Sequence, residues 1–90
     1  MNYALRHNSH WQGEGLGPVI DVFATRREAE ALEDFMSTCS FCFPGRSSGY
    51  SAGVCYKVKP TRRPVTAEVD PTDEISLQDY MDALCEREYA

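Results

Sequence analysis

Long apolar runs are missing from this chain. Stretches such as residues 18–20 and 22–24, on either side of Asp21, fall far short of the roughly 18 residues that a membrane span needs, so no transmembrane helix is expected. Export is not expected either. Residues 1–10 carry Arg6, His7 and Asn8 without an apolar segment or a small-residue cleavage site, which predicts a cytoplasmic protein. Repeats and low-complexity tracts are absent, so the chain is read element by element. The phosphate-cradling motifs are lacking too. Gly13, Gly15 and Gly17 alternate without G-x-G-x-x-G spacing, and no G-x-x-x-x-G-K-[ST] sequence exists. Ser47, Ser48 and Ser51 stand in no recognisable nucleophile turn, and neither histidine is flagged as a base beside them, so no enzyme is expected.

What is present suits one small core. Ninety residues, 42% hydrophobic and 26% charged, match an ordinary globular composition. A chain of this size buries only about 60% of its unfolded surface and cannot divide that between two cores, so residues 1–90 are read as a single domain. The net charge of −5 conceals an asymmetry: residues 66–90 hold eight acids against one Arg, net −7, while residues 1–65 hold six acids against eight bases, net +2.

Period-2 alternation predicts an opening strand around Tyr3, Leu5 and His7, and a second over residues 18–24 with two mostly apolar faces, hence an interior position. The glycine-rich residues 9–17 between them read as a loop. Thr25 followed by Glu28 is a capping box that opens a helix, with Ala29, Leu32, Phe35, Met36 and Cys39 as its apolar stripe. After an irregular stretch around Pro44, Gly45 and Gly49, alternation at Val54, Tyr56 and Val58 predicts a third strand. Pro60 and Pro64 bracket a segment unable to supply a full ladder, and Val65, Ala67 and Val69 predict a fourth, edge strand. A last helix is expected from Ser76, with an Asp73-initiated start as the alternative and Leu77, Tyr80, Met81 and Leu84 inside. The expected fold is α+β, in the order ββαββα: a mainly antiparallel four-stranded sheet with both helices on one face.

Among possible sites, Cys39 and Cys42 form a C-x-x-C half-site that His7 and His10 would complete as tetrahedral zinc ligands, so zinc is the one cofactor considered. Otherwise these thiols pack as small hydrophobes. A redox dithiol is disfavoured because the motif follows a helix instead of opening one. Lys57, Lys59, Arg62 and Arg63 could touch nucleic acid, but on an acidic chain four charges make a weak footprint, and direct binding is not expected. The largest electrostatic feature is acidic: Glu68, Asp70, Asp73, Glu74, Asp79, Asp82, Glu86 and Glu88. Its field would attract a partner with a basic surface; its other reading is a solvated helix face. Trp11, in the glycine-rich loop, is either an interface anchor or a lid on the sheet edge. An exposed edge strand would also allow a homodimer.

Residues 22–32, VFATRREAEAL, resemble the strand-to-helix transition of small phage and plasmid accessory proteins. With the small size, the acidity and the lack of catalytic motifs, the chain resembles anti-CRISPR and related anti-defence inhibitors. The resemblance implies a protein that binds a CRISPR effector or other defence nuclease complex and blocks its target DNA through protein–protein contact. The candidate partner-binding residues, Trp11, Glu68, Asp70, Asp73, Glu74, Asp79, Asp82 and Glu86, are chosen by charge and amphipathicity. The alternatives are a zinc-stabilised structural or regulatory domain and a small nucleic-acid-binding regulator.

Overall fold

A computed structural model describes residues 1–9, 15–39 and 54–89. The element order is β1 (Asn2–Ser9), β2 (Gly15–Phe23), α1 (Arg26–Met36), β3 (Tyr56–Thr61) and α2 (Glu74–Tyr89). The strands form an antiparallel sheet in the order β2-β1-β3, and the fold is α+β with two helices. The interior strand is therefore β1, not the doubly apolar β2. The second strand also begins earlier than the glycines suggest, at Gly15, and absorbs the irregularity as two register shifts opposite Leu5, Arg6 and Asn8. Gly17 passes close to β1 there: a Cβ on it would lie 3.2 Å from His7 Cβ.

Alternation places Tyr3, Leu5, Phe23, Tyr56 and Val58 on one face, where α1 and α2 cover them. Leu5, Phe23, Ala29 and Leu32 are wholly excluded from solvent, and Met36, Leu77 and Leu84 complete the cluster. Each large side chain there contributes about 1.5–3 kcal/mol by its burial. Thr25 caps the helix as its sequence predicts, with Glu28 N donating to Thr25 Oγ1 (3.2 Å), while the Glu28 carboxylate is reached by the Thr25 hydroxyl, which donates to Oε1 (2.9 Å), where a full capping box would use the backbone N–H. The helix ends at Met36, so Cys39 is buried beyond it and is not on its stripe.

The expected fourth strand is not one. Beyond Thr61, the chain crosses to the outer edge of β2: Asn2 Nδ2 donates to Arg63 O (2.8 Å), and Thr66 N and Ala67 N both donate to Val22 O (2.9 and 3.2 Å). In return Val22 N donates to the Thr66 hydroxyl (2.8 Å) where a strand would offer a carbonyl. The register shift between Asp21 and Val19 ends any regular edge just past Val22, so this strap bonds to the backbone of Val22 alone and no ladder propagates.

The outer edge of β3 is closed in a different way. Tyr56 N donates to Ser37 Oγ (3.2 Å) and Val58 N to Glu33 Oε2 (3.0 Å), both from the end of α1 and its cap. The next outward position in this alternation is Pro60, which has no N–H to offer. Pro60 thus sits inside β3, where an edge tolerates it. Burial pushes the Glu33 carboxyl up from its ordinary value, against the Val58 N–H and Lys57, which pull it down.

Candidate functional site

The C-terminal helix starts at Glu74 and takes the Asp73-initiated alternative: Asp73 Oδ1 accepts Ile75 N (3.0 Å), while Leu77 N donates to Asp73 O (3.1 Å). Ser76, the other cap candidate, is instead occupied as acceptor for Asp70 N (3.0 Å). Because the helix begins three residues early, Ile75 falls in its first turn and is 72% exposed, so no hydrophobic staple forms. Leu77 and Leu84 are buried and Tyr80 and Met81 half-buried, as the helical spacing predicts.

The expected partner-binding acids divide into two groups. Asp70 and Asp73 have local structural work: Asp70 Oδ1 accepts both the N–H (2.9 Å) and the hydroxyl (2.7 Å) of Thr72, hydrogen bonds that hold its carboxyl below the usual range, and Asp73 is the helix cap. Glu74, Asp79, Asp82 and Glu86 are exposed on α2 and form no ion pair with any described residue. Ile75, Asp79, Asp82 and Glu86 recur every three or four residues and make one outward stripe about 16 Å long. Asp82 accepts Gln78 Nε2 (2.9 Å), which fixes its direction. Glu68 is exposed on the strap, and Trp11 lies outside the described residues.

The N-terminal part of this stripe borders a groove of about 510 Å³ between α1 and α2. Ala31, Phe35 and Leu77 give it an apolar floor, and Glu30, Asp34 and Glu74 stand over it, with Arg27 as the one base. Ile75, Gln78 and Asp79 extend it past Phe35 along α2. Glu30 also reaches Arg26 Nε at 3.8 Å, an exposed pair of little strength.

The one basic residue of α2 faces the other way. Arg87 Nη2 donates to Asp21 Oδ2 (2.9 Å), Tyr80 Oη donates to the same oxygen (2.5 Å), and Thr66 Oγ1 donates to Asp21 Oδ1 (3.0 Å). Asp21, 5% exposed, thereby ties β2, the strap and α2 together. Burial first, and then the bond to Asp21, pushes the Tyr80 hydroxyl pKa up, and the same carboxylate raises that of Arg87. The sequence carries one sign of this centre, an acid amid the apolar residues 18–24, but nothing in it points to Tyr80 or Arg87 as the partners. The effect on the surface is to withdraw the only cation of α2 from the acidic stripe.

The remaining candidates are scattered. Arg6, Lys57 and Lys59 alternate on the sheet face opposite the helices, with Arg62 and Arg63 exposed where the strap begins; none pairs with the acids of α2. Of the proposed zinc ligands, His7 packs its ring 5.2 Å from that of Tyr56 and Cys39 is buried, while His10 and Cys42 lie outside the described residues. Among the described residues no three His, Cys, Asp or Glu side chains converge on a metal-sized site. No described helix is long and apolar enough to cross a membrane. No known family, curated protein or solved structure matches this chain.

Proposed function

We propose that this chain is a non-enzymatic binding protein that inhibits a nucleic-acid-binding or nuclease complex, a CRISPR effector being the type suggested by the resemblance above, by holding the acidic face of α2 against its basic surface. One observation carries the reading: Glu74, Asp79, Asp82 and Glu86 lie exposed and unpaired with any described cation, while Arg87 is engaged by Asp21. Carboxylates fixed on a helix meet the Lys and Arg side chains that otherwise neutralise phosphates, so a protein occupying that surface excludes nucleic acid from it.

The test is a capture from host lysate at low and high salt, using the wild-type chain and the variant Glu74→Gln, Asp79→Asn, Asp82→Asn, Glu86→Gln. A nucleic-acid-binding protein retained by the wild type at low salt, lost by the variant, and displaced from its DNA or RNA by the wild type supports the proposal. Capture that is equal for both chains, or a captured protein that still binds its nucleic acid, overturns it.

A further inference from the structure

We infer that the groove between α1 and α2 receives a basic amphipathic helix, whose apolar stripe packs on Phe35 and Ile75 and whose lysines or arginines meet Glu74 and Asp79. This rests on the acidic-surface reading and narrows it from a face to a cleft. Three features select the occupant. The first is charge: Glu74 and Asp79, which pair with no described cation, line the groove and its extension, and Arg27 is the one base lining them. The second is the apolar floor. Ile75, 72% exposed, lines the extension with half-buried Phe35, and Ala31 and Leu77 line the groove itself, so a purely polar strand of cations would leave the centre of the site unfilled. An aliphatic or aromatic residue flanked by cations fits both.

The third is the mode of recognition. An extended segment binds by adding to a sheet edge, where it needs outward N–H and C=O groups. On β3 the outward donors at Tyr56 and Val58 are taken by Ser37 and Glu33, and Pro60 has none; on β2 the strap occupies Val22. The groove instead is walled by side chains of two helices, which suits an occupant whose backbone is already satisfied. A helix laid in a groove is that occupant. Because it binds only where the two helices meet, its binding is expected to stabilise their packing.

The experiment uses fluorescence anisotropy with two labelled peptides of identical Leu, Lys and Ala composition, one with leucines at helical i, i+3, i+4, i+7 spacing and one scrambled. The intact chain, Ile75→Ala and the four-amide variant are titrated at low salt, with circular dichroism confirming that each is folded. The expected result is tighter binding of the patterned peptide, and a loss of about fivefold to tenfold on Ile75→Ala, the scale of a single apolar anchor. Equal binding of the two peptides, unaffected by Ile75→Ala yet weakened in the four-amide variant, overturns the groove while leaving the acidic face standing. Binding that no substitution weakens overturns both.

Discussion

Replacing Tyr80 with Phe removes one hydroxyl and little else. The ring keeps its edge-on contact with Phe23, 5.6 Å between centroids and 64° between planes, so the measured loss belongs to the bond with Asp21. A hydrogen bond to a charged group contributes about 1.5–3 kcal/mol, and the acceptor here is 5% exposed, with little water to replace the donor. Arg87 and Thr66 remain on the carboxylate and limit the damage, so about 2 kcal/mol is expected, equivalent to a fall in Tm of about 8–16 °C for a domain of this size. Urea unfolding followed by circular dichroism reads it as a lower midpoint at unchanged slope. The pH dependence supplies a second arm. The folded pKa of Tyr80 lies above its unfolded value of about 10, so its contribution is complete below that pH and is lost as pH rises beyond it. The Phe variant lacks this part of the alkaline loss. A change below about 0.5 kcal/mol at neutral pH would show that Arg87 and Thr66 alone hold Asp21, and would refute a stabilising role for the Tyr80 hydroxyl.

Thr66→Val keeps the shape but strips a hydroxyl that accepts Val22 N and donates to Asp21; a loss of about 1–3 kcal/mol is expected by the same unfolding assay, with Thr66→Ser close to wild type. Glu33→Gln retains an acceptor for Val58 N, and at pH 7 should equal or exceed wild type in stability. Because the folded pKa of Glu33 is raised, the native chain gains stability from this group as pH falls through that value toward about 4.5, and the Gln variant should lack the gain in an acid titration of the urea midpoint. The four-amide variant of α2 should unfold within about 0.5 kcal/mol of wild type, since its changes are on the surface and spare the Asp73 cap.

The parts of the fold legible in the sequence are those specified by neighbouring residues. Thr25 and Glu28 sit three apart and cap α1 by themselves, and the spacing of Leu77, Tyr80, Met81 and Leu84 defines the inner face of α2 wherever that helix starts. What was not legible depends on distant partners. The alternation at Val65, Ala67 and Val69 looks like a strand, but pairing also needs a straight edge to pair with, and the shift in β2 removes it. Ser76 and Asp73 are both sound caps, and the choice falls to Asp73 because Ser76 is occupied by Asp70 N. At the candidate site, the acids were visible as composition, but their sorting into a cap, a turn and an outward stripe required the helix start, and the pairing of Arg87 required Asp21, 66 positions away. The exposure of Ile75 follows from the same boundary.

The strap gives the molecule a built-in order of opening. Residues 62–73 enter no strand or helix, and their main fastenings reach back to Asn2, Val22, Asp21 and Glu28, with Val69 N donating to the spare oxygen of the Glu28 carboxylate (3.2 Å). A chain section held at separate points, and not by a continuous ladder, detaches as a unit once those points release. Amide exchange should therefore find one cooperative segment from the strap through α2, less protected than β1 and α1, with Asp21 and Phe23 uncovered together when it lifts.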